Sequence, residues 1–281
     1  MRMAREWTFR GGGGFGSAPS LVAGIVNVTP DSFSDGGSFL APEKALARCR
    51  EIVTQGGALL DIGAESTRPG SEAISQEEEW ARLRDVLAPA TDMGLPVFVD
   101  TWRAATAAAA LQAGAHGIND ISGSTFDPGM ADVLAQYKPG YVLMHTPAPP
   151  KTMQDHTHYD SVVDAVCAFF DAAMTKLTAA GLPEACIALD PGIGFGKNST
   201  QTIELMQHIE ELHKFGRPLY IGVSRKSFFG DLLGLAVYDR DAATQAVTAL
   251  LACKGVYVHR VHNVAGAVAA LRLASALEGP E

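Results

Sequence analysis

The sequence predicts a (β/α)8 barrel that forms a single domain over residues 1–281. Apolar residues make up 47% of the chain and charged residues 19%, which provides a large core and too little charge for a disordered chain. Short β-branched or apolar runs alternate with longer amphipathic or alanine-rich runs, a pattern typical of parallel βα units. These units number eight, and 281 residues suit an α/β barrel formed as one unit.

Each predicted strand is followed by a predicted helix. We expect strands over residues 21–28, 58–62, 96–100, 116–119, 141–145, 186–190, 219–224 and 256–260. We expect helices over residues 42–55, 76–93, 104–112, 128–136, 161–180, 202–215, 242–254 and 263–277. Pro42 suits the first turn of its helix. Residues 1–20 precede the first strand, and we expect them to form an N-terminal arm or a hairpin.

Charge, hydropathy and cysteine content limit the classes of partner. A net charge of -9 argues against a nucleic-acid partner, because such binders need a clustered basic surface. No apolar run reaches the roughly 18–20 residues of a membrane-spanning helix, and the basic N-terminus has no apolar segment of the kind found in secretory signals. The four cysteines form no CxxC pair and suit reduced thiols. We therefore expect a cytoplasmic protein that binds neither nucleic acid nor a membrane.

Polar or charged side chains stand at the carboxyl end of every predicted strand. Taken alone, such a residue commonly begins a loop, but a barrel gathers all its strand ends around one mouth on the order of 10 Å across. We expect Asp61 to be structural, accepting N–H groups of its loop. Strand alternation is expected to turn the side chain of Asp120, of Arg225 or of both away from the mouth. The strand-end residues are Asn27, Asp61, Asp100, Asn119, Asp120, His145, Asp190, Ser224, Arg225, Lys226, Arg260 and His262.

One group of these side chains suits a flat heterocycle. Asp100, Asn119 and Asp190 offer acceptors for a ring with several N–H donors, such as a 2-amino-4-oxo-pyrimidine. Lys226 can donate to the ring carbonyl or a ring nitrogen, and its charge is expected to help keep the neighbouring carboxylates ionised.

A second group suits phosphoryl oxygens. Arg68 and Arg260 can supply bidentate forks, and His262 and Asn27 add further polar groups. The pocket is therefore expected to have two ends.

Two other patterns have a structural interpretation. Residues 190–198, DPGIGFGKN, lack the spacing of both common phosphate loops, and we interpret them as a tight turn that lets a ligand approach the backbone. His156 and His158 stand in a polar loop without clustered partners, so no zinc site is proposed there. Residues 63–75 and 146–158 are predicted to be long loops that roof the mouth.

Nine segments, in order along almost the whole chain, resemble the dihydropteroate synthase family. One such segment is weak support, but nine ordered segments on strand ends are specific. The segments are GIVNVTPDSFSDGG (24–37), DIGAESTRPG (61–70), VDT (99–101), IND (118–120), LMH (143–145), PKTMQ (150–154), DPGIGFGKN (190–198), SRKS (224–227) and RVH (260–262).

The resemblance implies condensation of 6-hydroxymethyl-7,8-dihydropterin pyrophosphate with 4-aminobenzoate, in a homodimeric, Mg²⁺-dependent barrel of a family targeted by sulfonamides. It implies that the pterin is held by Asp100, Asn119, Met144, Asp190, Lys226 and Arg260. It implies that the pyrophosphate is held by Asn27, Arg68, Arg260 and His262, with Asn27 on the metal. It implies that 4-aminobenzoate is held by Thr67, Arg68, Pro69 and Ser227. Asp100, Lys226 and Arg260 are the expected catalytic residues.

The expected mechanism is dissociative. Pyrophosphate leaves first, the ionised Asp100 stabilises the positive charge that develops on the methylene carbon, and the loops at 29–39 and 65–71 close over the cation. Two departures from the family pattern are Thr146-Pro147-Ala148 after strand 5 and Asn263, which should cap the last helix about as well as Asp. Two alternatives are a methyl-folate corrinoid methyltransferase on the same barrel and a non-catalytic pterin-binding paralogue.

Overall fold

The computed structural model describes residues 6–16, 20–28 and 37–278. In chain order the strands are β1 (Trp7–Thr8), β2 (Gly14–Phe15), β3 (Leu21–Asn27), β4 (Leu59–Gly63), β5 (Val97–Asp100), β6 (Gly117–Asp120), β7 (Gly140–Met144), β8 (Ile187–Asp190), β9 (Tyr220–Ile221) and β10 (Val258–Val261). The helices are α1 (Gly37–Thr54), α2 (Gln76–Thr91), α3 (Ala104–Gln112), α4 (Met130–Tyr137), α5 (Val162–Ala180), α6 (Ser199–Gln207), α7 (Phe228–Leu233), α8 (Asp241–Cys253) and α9 (Val264–Glu278).

Strands β3 to β10 form a barrel. Their order is β8-β7-β6-β5-β4-β3-β10-β9, with every neighbouring pair parallel. A bridge between Leu189 and Leu219 joins the two edges, and the Leu189 N–H donates to the Pro218 carbonyl at 2.8 Å. The predicted (β/α)8 barrel is confirmed.

Local chemistry moves several predicted boundaries. The seventh strand stops at Ile221 rather than residue 224, because the Lys226 N–H donates to the Val223 carbonyl at 3.2 Å and the chain turns there. The unpredicted short helix α7 follows this turn. Helix α1 begins at Gly37, so Pro42 lies inside the helix rather than in its first turn.

The predicted helix over 202–215 is two helices. Helix α6 begins three residues earlier, at Ser199, because Asn198 and Gln201 form a reciprocal capping box with both hydrogen bonds at 2.9 Å. It ends at Gln207, and a 3₁₀ helix continues over Ile209–Phe215. Asn263 caps α9 as expected, accepting the Gly266 N–H at 3.0 Å.

The barrel interior is apolar at the amino ends of the strands. Strands β1 and β2 pair as an antiparallel hairpin that lies against this end. Trp7 and Phe9 are buried there, and their rings contact the Phe98 ring at centroid distances of 4.9 and 5.2 Å. The Trp7 indole N–H donates to the Cys186 carbonyl at 2.8 Å, immediately before β8. The hairpin therefore covers the end of the barrel opposite the mouth.

Among the residues that the structure describes, no helix combines the length and apolarity needed to cross a membrane.

Candidate active site at the barrel mouth

Strand alternation decides which side chains enter the barrel. Phe98, Val142, Ala188 and Val258 pack with Trp7 in the apolar cluster inside the barrel. Side chains of a strand return to the same face every two residues, so the next inward positions lie nearer the mouth. They are Asp100, Met144, Asp190 and Arg260, and the same step places Asn27, Asp61, Asn119 and His262 inward.

Asp61 lies deeper than its predicted strand-end position, because β4 continues to Gly63. Its carboxylate, fully buried, accepts the Arg260 Nε–H and lies 3.3 Å from the Asn119 side-chain nitrogen. Asp61 was expected to bind N–H groups of its loop, and that expectation is wrong. It holds Arg260 and Asn119 from inside the barrel instead.

Arg260 joins two carboxylates. Its Nη2 donates to Asp100 Oδ2 at 2.8 Å, beside the Nε contact to Asp61. Burial disfavours the guanidinium charge, but the two carboxylates outweigh burial and raise the pKa of Arg260. Burial raises the pKa of Asp100, which Arg260 partly offsets. Within the described residues, Oδ1 of Asp100 is buried and has no hydrogen-bond partner.

Asp190 and Lys226 form the second charged group. Asp190 Oδ1 accepts the Gly192 N–H at 2.8 Å. Burial raises the pKa of Asp190, and the Gly192 hydrogen bond and the Lys226 ammonium offset part of that rise. Lys226 therefore favours the ionised form of Asp190, as expected, but burial has the larger effect on the pKa of this carboxyl. The Lys226 Nζ lies 4.0 Å from the centroid of the Phe195 ring.

Lys197 has a buried amine that sequence reasoning missed. Its Nζ lies 2.9 Å from His145 Nδ1 and donates to the carbonyls of Phe195 at 2.9 Å and Gly192 at 3.1 Å. Burial lowers the pKa of Lys197 to about 7 and that of His145 to about 3, so the histidine is neutral and can accept. The available signal was a lysine directly after a glycine-rich turn at a strand end. The turn itself, predicted over residues 190–198, is present.

Asp120 and Arg225 both bind partners outside the mouth. Strand alternation predicts this for Asp120, at the end of β6, whereas Arg225 lies on the turn beyond β9, where alternation does not apply. Asp120 accepts the Tyr141 hydroxyl at 2.8 Å and the N–H groups of Ser122 and Ser124. Arg225 forms an ion pair with Asp241 at 2.7 Å. Both residues stabilise turns next to the site and supply it with no ligand.

His262 stands at the edge of the group expected to bind phosphate. Ser224 Oγ lies 2.8 Å from His262 Nδ1, and burial together with the charges of Arg260 and Arg225 lowers the pKa of His262 to about 3. The imidazole is therefore neutral and meets a phosphate as a hydrogen-bonding group rather than as a cation. The positive charge of Arg68 also lowers the pKa of His262, so the loop after β4 lies on this side of the mouth.

The residues assigned to 4-aminobenzoate lie on two loops. Thr67 is half-buried, whereas Arg68 and Pro69 are exposed on the loop after β4. Ser227 is exposed at the start of α7, directly after Lys226. The predicted closing loop over residues 29–39 falls mostly outside the described residues, since 29–36 are not among them.

The described residues contain no group of three or more His, Cys, Asp or Glu side chains able to hold a metal ion. Mg²⁺ usually retains several waters and binds substrate phosphates with one or two protein oxygens. Asn27, half-buried and inward at the end of β3, offers one such amide oxygen. This donor set fits a magnesium ion carried mainly by a diphosphate and not one in an all-protein cage.

Comparisons with known proteins decide the family. Residues 23–262 match the family described as pterin binding enzyme. The chain is 40% identical over 260 residues to the dihydropteroate synthase of Synechocystis, covering 92% of this chain and 90% of that protein. The chain belongs to the pterin-binding enzyme family.

Solved structures of family members agree. A Yersinia pestis dihydropteroate synthase with a sulfonamide drug complex superposes with a TM-score of 0.91 at 36% identity, covering 98% of this chain and 100% of that chain. The Xanthomonas albilineans enzyme with 4-aminobenzoic acid gives a TM-score of 0.90 at 38% identity, covering 95% and 96%. The same enzyme with 7,8-dihydropteroate gives 0.84 at 37%, covering 94% and 95%. These relatives of the pterin-binding enzyme family confirm the predicted transferase class and dihydropteroate synthase reaction.

Proposed function

We propose that the barrel mouth condenses 6-hydroxymethyl-7,8-dihydropterin pyrophosphate with 4-aminobenzoate, giving 7,8-dihydropteroate and pyrophosphate. The observation that carries this assignment is that Asp100, Asn119 and Asp190 occupy inward positions at one mouth, with Lys226 on the turn after β9 and its ammonium over the Phe195 ring. The buried, unpartnered Oδ1 of Asp100 supports it, because a ring N–H would satisfy that oxygen.

At the ring end of the pocket, each donor of the pterin ring is expected to meet a protein acceptor, and each ring acceptor a protein donor. Asp190 and Asn119 accept ring N–H groups, Lys226 donates to the ring carbonyl or nitrogen, and Met144 packs beside the ring. Phe195, which already lies against the Lys226 ammonium, limits where that lysine can point. We assign pterin binding to Asp100, Asn119, Met144, Asp190, Lys226 and Arg260.

The other end is expected to bind the pyrophosphate. A guanidinium has five N–H donors, and the Asp61 and Asp100 contacts of Arg260 use two of them. Arg260, Arg68, His262 and Asn27 can therefore donate to or surround the leaving oxygens. When bound, Mg²⁺ with Asn27 as a ligand supplies further neutralisation of that negative charge.

The reaction breaks the methylene C–O bond and forms a C–N bond. Pyrophosphate leaves with the bonding electron pair, the electron-rich dihydropterin shares the resulting positive charge, and the Asp100 carboxylate stabilises it. The aromatic amine then attacks the methylene carbon and loses a proton. Thr67, Arg68, Pro69 and Ser227 orient 4-aminobenzoate, so catalysis depends on positioning and charge stabilisation.

We also propose that the protein is a cytoplasmic homodimer and, like its family, a target of sulfonamides. Its described cysteines are all free thiols, which suits a reducing compartment. Leu250 on α8 and Leu273 and Leu277 on α9 are 61–79% exposed and form an apolar surface suited to a second copy. Sedimentation of the purified protein tests the dimer.

The test of the function is turnover by the purified protein with both substrates and Mg²⁺. We expect equal amounts of dihydropteroate and pyrophosphate. Asp190→Asn and Lys226→Ala should each weaken calorimetric pterin pyrophosphate binding by about 1.5–3 kcal/mol, the magnitude of a charge-assisted hydrogen bond. Lys214→Ala is the matched control, because Lys214 lies over the Phe215 ring on the surface. Wild-type affinity in both site variants would remove the ring assignment.

A further inference from the structure

The loop over residues 64–75 joins β4 to α2 and carries Thr67, Arg68 and Pro69. Its two ends are fastened to each other. The Ile74 N–H, near the end of the loop, donates to Glu65 Oε1, near its start, at 3.2 Å. The Glu65 side chain is buried, although Ser66 and residues 68–70 are exposed. The loop therefore has a closed base and an open tip.

One guanidinium holds both ends of this base. Arg103 stands just before α3, on the neighbouring βα unit. Its Nη2 donates to the Ile74 carbonyl at 2.6 Å, and its Nη1 donates to Glu65 Oε2. Nη1 also lies 3.2 Å from Glu79 Oε2 on α2, and Glu79 is buried. Arg103 thus links the start of the loop, its end and the helix that follows it.

The geometry requires an arginine. Its planar fork reaches partners in two directions with fixed spacing, whereas a lysine ammonium is a single point charge. The Arg103 guanidinium also lies 4.7 Å from the Trp102 ring centroid, which limits its orientation. The two buried glutamates need this cation, because an unpaired buried carboxylate is costly.

The tip of the loop is held more weakly. The Gly70 N–H donates to the Pro150 carbonyl at 2.9 Å, and Lys151 forms an ion pair with Glu72 at 2.9 Å. Both partners of that ion pair are largely exposed, and exposed pairs contribute little. Within the tip, Ser71 Oγ donates to the Arg68 carbonyl at 2.8 Å, so residues 66–71 form a compact turn. The position of this turn relative to the barrel is determined mainly at the base.

We propose that Arg103 is a positioning residue for 4-aminobenzoate, which fixes the base of loop 64–75 and so holds Thr67, Arg68 and Pro69 at the mouth. This inference rests on the proposed function. The residues assigned to the pterin ring lie on the barrel strands and on the turn after β9, outside this loop. Loss of Arg103 should therefore weaken 4-aminobenzoate binding and spare binding of the pterin ring.

The experiment compares Arg103→Met and Arg103→Lys with wild type. For Arg103→Met we expect the KM for 4-aminobenzoate to rise on the order of 10-fold to 100-fold, as misplacement of a binding loop does. The calorimetric affinity for 6-hydroxymethylpterin, which lacks the pyrophosphate that Arg68 is assigned to bind, should stay unchanged, and Arg103→Lys should give a smaller rise in KM. Hydrogen exchange of the amides of residues 66–73 should be faster in both variants.

Arg84→Met is the matched control, since Arg84 is exposed on α2 and contacts only Asp85, at 3.5 Å, among the described residues. An unchanged KM for 4-aminobenzoate in Arg103→Met, or an equal loss of affinity for 6-hydroxymethylpterin, would overturn the inference. If Arg103→Met does not fold, the same criteria apply to Arg103→Lys. If wild type forms no dihydropteroate, the proposed function fails. If wild type is active but hydrogen exchange of residues 66–73 is unchanged in the Arg103 variants, only the positioning role of Arg103 is contradicted.

Discussion

Asp61 shows how one residue's role depends on a strand boundary. The carboxylate stands one inward step below the end of β4, where no loop N–H of the described residues reaches it, and it holds Arg260 across the barrel. The sequence identified Asp61 as an acid near a strand end. It could not identify the partner, because Arg260 is 199 residues away and the contact depends on barrel closure.

At the same scale, replacing Asp61 should be costly for stability. Removing Asp61 leaves the buried Arg260 charge compensated by Asp100 alone, so we expect Asp61→Asn to lower the free energy of unfolding by about 3 kcal/mol, the lower end of the cost of breaking a buried ion pair. Asp241→Asn breaks the half-exposed pair with Arg225 and should cost at most about 1 kcal/mol. Denaturant unfolding of both variants measures the difference, and equal costs would show that Asp61 is not a structural anchor.

The turn after β8 is the element that organises the ring end of the pocket. Gly192 satisfies Asp190, Phe195 lies against Lys226, and Lys197 folds back beneath them onto His145. Glycine spacing predicted a tight turn, because glycines permit left-handed backbone. It did not predict that the lysine enters the protein, since a lysine in a polar loop is normally exposed.

This turn should tolerate no side chain at Gly192. The residue has a φ of +70°, and a Cβ there would lie 2.0 Å from the His145 carbonyl oxygen. Gly234 has a similar φ of +69°, but a Cβ there meets no atom within 4 Å among the described residues.

We expect Gly234→Ala to cost about 1–2 kcal/mol of unfolding free energy, the cost of left-handed backbone alone. Gly192→Ala should cost more and should weaken pterin binding, as measured by denaturation and calorimetry. Equal costs would contradict the close packing of the turn.

At the scale of the whole molecule, the architecture and the location of the site follow from period and order. Eight parallel units fix one mouth, so the polar residues after the strands had to converge. Pairings across the mouth, such as Arg260 with Asp100, do not follow, because they depend on distances between strands that are far apart in sequence. The hairpin of β1 and β2 depends on packing, since glycines at residues 11–14 specify only a turn.

That hairpin should stabilise the barrel without serving the site. Trp7 is fully buried at the far end, so we expect Trp7→Ala to lower the unfolding free energy by about 3–5 kcal/mol. Pterin binding below the unfolding transition should be unchanged. Tyr238→Ala is the control, because Tyr238 is 85% exposed and its loss should change stability by at most about 0.5 kcal/mol. Weaker ligand binding in Trp7→Ala would contradict the separation of the two ends.

Because Trp7 and Phe9 close the amino-terminal end of the barrel, substrates must enter and products must leave through the mouth. A ligand bound to Asp100 and Asp190 would lie at the bottom of a pocket that is closed beneath it, and a ligand that binds afterwards would cover it. Ligands in such a pocket leave in the reverse of the order in which they bind, so a ligand held by the loops delays the release of one bound beneath it.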